Sequence, residues 1–259
     1  MRRIVAFISF FIFFFCCSCF AYDIEPYPGQ GVSDSETQVI LNLVFCPLYY
    51  RDNQIFLEDI DIVIKRLCKT KPFNEFIAGV GLYRINLSRE EESMIFKRAQ
   101  GFPPLKARQD LLTGILDYLK SNYKLIIIDA TGSVSCAELS SKDKISLIIL
   151  GKKRYKDKHS FAKGFLHELG HSLGLRDECV NCQQLSSAGP PNCAATKEEA
   201  EEWWGELVGK DSRINYISGC CGNKNYIRPT IASLMNDPDK AEDFGPVNER
   251  YLREILEGL

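Results

Sequence analysis

The chain has 259 residues, with 32 Lys and Arg against 34 Asp and Glu and a formal charge of −2. That balance, with no long basic block, argues against nucleic acid as a partner. A hydrophobic share of 45%, without internal repeats or a low-complexity tract beyond the first residues, excludes a disordered or fibrous chain and predicts one globular domain.

At the start, Met1-Arg2-Arg3 precedes a largely apolar run from Ile4 to Phe15, followed by Cys16-Cys17-Ser18-Cys19-Phe20-Ala21. Two positive charges, a short hydrophobic core and a small residue read as a secretory signal peptide over 1–21, cut after Ala21. The run is too short for a comfortable membrane span, so no stable span is expected after cleavage, and the predicted location is secreted or periplasmic. A lipid on Cys16, Cys17 or Cys19 is the alternative, although the residues before them make a poor lipoprotein box. Removing Arg2 and Arg3 takes the formal charge from −2 to −4.

Of the 11 cysteines, Cys46, Cys68, Cys136, Cys179, Cys182, Cys193, Cys220 and Cys221 lie beyond the signal. An even number in an exported chain predicts disulfides. Cys46 with Cys68 is the plain pairing upstream. Cys220 bonded to its neighbour Cys221 would be strained, so each is expected to bond elsewhere. A second, structural zinc site on Cys179-x2-Cys182 and later cysteines is the competing reading.

Thr37 to Phe45 is rich in β-branched and apolar residues and predicts a buried strand ended by Pro47. From Gln54 to Leu67, Phe56, Ile60, Val63, Ile64 and Leu67 recur at helical spacing. Ala78 to Leu87 reads as a second strand, weakened by its glycines. Ser88, followed by Glu90, Glu91 and Glu92, marks a capped helix start, and that helix is expected to run until Gly101. Leu105 to Leu119 reads as another helix. The apolar runs Lys124–Asp129 and Lys144–Leu150 predict two more strands. A helix follows over Phe161 to Leu173 with Ser160 as its N-cap, then a piece near Thr196 to Leu207, a turn at Ser233–Asp237, and a closing amphipathic helix over Val247 to Leu256. The basic stretch Lys152 to Lys158 is a solvated loop or the rim of a substrate cleft.

Chemistry is concentrated in His167-Glu168-Leu169-Gly170-His171-Ser172-Leu173-Gly174-Leu175-Arg176-Asp177. Residues four apart share a helix face, so His167 and His171 can present two imidazoles to one metal ion. Glu168 is placed to reach a water at the metal rather than the metal itself, the pattern of a zinc-dependent hydrolase. Gly174 would break the helix and bring Asp177 round as the third ligand, leaving one position open. Glu178 is the alternative third ligand. His159 lies outside any ligand spacing and is assigned no role.

These residues resemble the metzincin zinc peptidases, whose extended motif HExxHxxGxxH/D matches His167, Glu168, His171, Gly174 and Asp177. The resemblance implies that Met235, in Ser233-Leu234-Met235-Asn236-Asp237, is the methionine of the turn beneath the metal. Within that clan the chain is most similar to the IgA Peptidase family of metallopeptidases, through Phe56 to Asp61, Lys71-Pro72-Phe73, Glu202-Trp203-Trp204-Gly205 and Tyr226 to Met235. That family often has one more residue between the second histidine and the aspartate. The cysteines after Asp177 also resemble those of archaemetzincins, which carry a third histidine where Asp177 stands.

The resemblance implies an α+β fold: a metzincin-like zincin domain over 22–259, with a twisted mixed sheet, an active-site helix and a loop-rich lower lobe. It implies one catalytic Zn2+ and a secreted endopeptidase acting on a protein or peptide substrate, with Glu168 as general base. The strand Lys144–Leu150 would then be the cleft edge that aligns the substrate. A silent zinc-containing binding or adhesion domain and a zinc amidase on a non-protein substrate are the alternatives. The sequence names neither the substrate nor an oligomeric state.

Overall fold

The computed structural model describes residues 23–27, 39–98, 105–107, 123–137, 146–182 and 187–258. The signal segment, residues 108–119 of one expected helix, and Lys144 and Ile145 lie outside them. No helix among the described residues is long and apolar enough to cross a membrane.

A six-stranded mixed sheet forms the frame, in the order β1-β3-β2-β6-β8-β7. Its strands are β1 (Asp23–Pro26), β2 (Leu41–Leu48), β3 (Val80–Asn86), β6 (Tyr123–Asp129), β7 (Cys136–Ala137) and β8 (Ser146–Gly151). The four central strands run parallel, and β1 and β7 lie antiparallel at the two edges. Parallel strands are covered on both faces, which is why β2, β6 and β8 read as unbroken apolar runs. Leu43, Phe45, Ile126, Ile128, Ile148 and Leu150 face one core, while Val44, Cys46, Leu48, Leu125, Ile127, Leu147 and Ile149 face another.

The first of these cores is closed by α1 (Asn53–Leu67) and by α4 (Lys158–Ser172), which pack against each other and under the sheet. Phe161, Phe165, Leu166, Leu169 and Leu173 are all buried, as the expected apolar face of the site helix requires. The N-cap of α4 is Asp157. Ser160 instead sits at the third helical position and completes a capping box with it. At the other end, the buried Lys124 Nζ donates to the Ser172 carbonyl at 3.0 Å, placing an ammonium where the helix dipole is negative.

Several expectations are corrected. β2 continues past Pro47 to Leu48, because a missing donor near a strand end costs little of the ladder. The helix capped by Ser88, α3 (Arg89–Ile95), ends well before Gly101. Phe96 turns into the second core, and Phe96–Arg98 (β4) pairs with Leu105–Ala107 (β5), so Leu105 begins a strand and not a helix. The outer strand beside β8 is the two-residue β7, so Lys144–Leu150 is not the cleft edge. Cys46 is buried inside β2 while Cys68 is exposed at the end of α1, so the two are not bonded.

The remaining α-helices of the described residues are α2 (Phe73–Phe76), α5 (Lys197–Trp204) and α6 (Pro246–Gly258). Below α4, the chain from 173 onward is loop-rich, as expected, and holds the hairpin β9 (Ile217–Cys220) and β10 (Asn223–Arg228). Disulfides join Cys179 to Cys182 and Cys193 to Cys220.

Candidate metal centre

His167 and His171 project from one face of α4, with ring centroids 4.5 Å apart. Each ring has its Nδ1 against a main-chain carbonyl, Leu234 O at 2.8 Å for His167 and Leu175 O at 2.9 Å for His171. A carbonyl only accepts, so each Nδ1 carries its proton and donates it, and each Nε2 is left with a lone pair. Those two Nε2 atoms lie 3.0 Å apart. Two lone pairs at that distance repel unless a cation or proton stands between them.

The helix ends at Gly174, whose φ of +106° is left-handed backbone. A side chain there would also meet the Tyr251 hydroxyl at 2.7 Å. The reversal brings Asp177 Oδ1 to 3.5 Å from His167 Nε2 and 3.4 Å from His171 Nε2. Tetrahedral bonds of ~2.0–2.1 Å place ligand atoms ~3.3–3.4 Å apart, so the two edges to Asp177 have the lengths that zinc would need and the 3.0 Å edge between the imidazoles is a few tenths of an ångström short. The donor set, two neutral imidazoles and one carboxylate, fits zinc as well. The main-chain N–H of Cys221, at the tip of the β9–β10 hairpin, donates to Asp177 O at 2.9 Å and fixes the ligand's backbone.

Protonation follows the packing. Burial, with His171 beside it, pulls His167 down to about 4. Burial acts the same way on His171, but the Asp177 carboxylate outweighs it and raises that imidazole. Asp177 itself is lowered: burial opposes ionisation, and the contact with His171 prevails. Glu168 is buried near His171 and Asp177, and that burial lifts its carboxyl to about 7.

Met235 is fully buried beneath the helix. Its Sδ lies 2.8 Å from where a Cβ on Gly170 would stand, between the two histidines, so only glycine lets the turn approach so closely. Tyr155 lies closer still over Gly164, and its hydroxyl donates to Ser135 Oγ at 2.8 Å, tying the site helix to the β7 edge.

His167, Glu168, His171, Asp177 and Met235 are thus brought together. Glu178 is not at the cluster: it points the other way and is completely buried. There it accepts from Ser233, Asn192 and Asn248, and burial nevertheless raises its pKa. His159 stands apart, exposed beside Glu242. Two other clusters of potential ligands occur among the described residues, Asp177 with Cys179 and Cys182, and Cys193 with Cys220 and Cys221. Four of those cysteines are in disulfides, so a thiolate zinc site on them does not form in this state. The disulfide expectation holds for these four, with Cys220 bonded away from its neighbour, but not for Cys221, which forms no disulfide among the described residues. The Glu178 network was missed from sequence because its members are scattered from 178 to 248. One signal was available: Asn248 is a polar residue on the stripe that Leu252 and Leu256 continue along α6.

No family model matches the chain. No curated protein matches it either. Among solved structures, it is similar to the archaemetzincin of Methanopyrus kandleri, at a TM-score of 0.40 and 13% identity over 87% of this chain and 99% of that one. The likeness to the IgA Peptidase family finds no support in these comparisons.

Proposed function

We propose that the chain is a secreted or periplasmic zinc endopeptidase of metzincin type, with His167, His171 and Asp177 holding the metal and Glu168 acting as general base. The observation that carries this reading is the triangle of 3.0, 3.4 and 3.5 Å with both Nδ1 protons already committed to carbonyls. Zinc in that position would supply Lewis acidity, drawing the pKa of a water toward neutrality and polarising the scissile carbonyl.

The chain's own residues supply the rest. Glu168 follows His167 directly, and its carboxylate takes a proton from the attacking water and returns it to the leaving amine. A pKa near neutrality suits both transfers. Asp177 stays ionised and offsets part of the metal's charge without cancelling it. The β7 edge is held to α4 through Tyr155 and Ser135.

Purified protein is expected to contain about one zinc per chain, removable by chelator. Glu168→Gln should keep the zinc and lose cleavage of an unfolded protein, whereas Asp177→Ala should lose the zinc. Cleavage undiminished in Glu168→Gln would sink the mechanism. Zinc without cleavage of any protein or peptide in a broad library would favour a silent binding domain, and turnover of peptidoglycan peptides alone would favour an amidase.

A further inference from the structure

The carboxyl group of Glu178 has no exposure at all, one residue beyond Asp177. It accepts from Ser233 Oγ at 2.6 Å, Asn248 Nδ2 at 2.8 Å, Asn192 Nδ2 at 2.9 Å and Thr230 Oγ1 at 3.4 Å. Its main-chain N–H donates to Met235 O at 2.8 Å, and its carbonyl accepts from Arg228 Nη1 at 3.1 Å. Every polar atom of the residue is engaged, each by a different partner. The partners come from the loop before Cys193, from β10, from the 230–235 turn and from α6.

Two of these contacts bear on the metal ligands. Glu178 is covalently next to Asp177, so fixing it fixes where Asp177 Oδ1 can go. It also clamps Ser233 and Met235 on either side of Leu234, whose carbonyl orients the His167 ring. One buried residue, through its side chain and its main chain together, therefore bears on two corners of the triangle, from two segments far apart in sequence.

We propose that Glu178 is a positioning residue that holds Asp177 and His167 in a metal-ready arrangement, an inference that rests on the metal-centre reading above. Burying a carboxylate is costly unless it is fully hydrogen-bonded, so an anchor that served the fold alone would be as well or better made from apolar groups. A fixed carboxyl group held by four side chains gives what apolar packing does not, a single directional geometry for the chain on both sides of it.

The test uses the whole mature chain and reads zinc affinity by competition with a chelator, alongside the thermal midpoint of the metal-free protein. Glu178→Gln keeps the shape but presents an NH2 group to donors on one edge of the network. Zinc affinity should fall 10- to 100-fold, and the visible absorption of the cobalt-substituted protein should shift. A control, Phe56→Leu in the core under α1, should lower the thermal midpoint while leaving zinc affinity and the cobalt spectrum unchanged. If Glu178→Gln binds zinc as tightly as wild type with the same cobalt spectrum, the proposal is wrong. Should that variant not fold, Ser233→Ala and Asn248→Ala each remove one donor and are read in the same way, with unchanged affinity in both overturning it. A wild type that binds no zinc would instead overturn the metal-centre reading, and this one with it.

Discussion

His167 and His171 enter one cluster with opposite proton affinities, and this makes metal binding pH-dependent in a definite direction. His167 is already neutral down to about 4 because burial disfavours its charge. His171 is raised by Asp177, so below its pKa it carries a proton on the nitrogen that zinc must use. Zinc affinity should therefore rise with pH and level off above the His171 pKa, with about one proton released from His171 per ion below it. Glu168, lifted to about 7, can give up a proton under the ion's charge, so the count is read in Glu168→Gln by calorimetry in two buffers of different ionisation heat; a count near two at pH 6 in that variant would contradict the His167 assignment. At this scale the sequence was highly legible for the cluster of His167, His171 and Asp177, since the i, i+4 spacing of the histidines and the glycine three residues on are local. Glu178 was not legible as an anchor, because its orientation depends on Asn192, Ser233 and Asn248 being folded around it.

Helix ends decide the site as much as helix faces do. Gly174 combines a positive φ with the Tyr251 hydroxyl directly above it. Gly174→Ala should cost about 1–3 kcal/mol, the backbone strain and the clash together. Adding Tyr251→Phe should restore only the share due to the clash, which a double-mutant cycle in urea resolves. The elements that were read correctly (α1, α4, α6 and the parallel strands) have long stretches of one period. Those that were missed are short and formed by partners: β7 exists only against β8, and β4 and β5 only against each other. That is also why α3 stops early, since Phe96 gains more from the second core than from another turn of helix.

Across the whole molecule, a sheet sandwiched by apolar layers sits above a lower region that is poor in regular structure and held by covalent links and polar contacts. The Cys193–Cys220 bond spans 27 residues of that region, including α5. Replacing both cysteines by serine should lower stability by about 3–4 kcal/mol on the loop-entropy estimate, and losing Cys179–Cys182 by about half as much. Urea midpoints with an unchanged slope would establish both values, and the reverse ranking would show that the short loop matters through its contact with the ligand turn.

The two imidazoles lean on the peptide carbonyls of Leu234 and Leu175, groups that every amino acid carries. Their orientation is thereby insulated from side-chain change at those two positions. In a saturation scan for zinc retention, apolar replacements at 175 and 234 should be accepted freely so long as their volume is kept. Positions 167, 171, 177 and 178, which act through their own functional groups, should accept almost nothing.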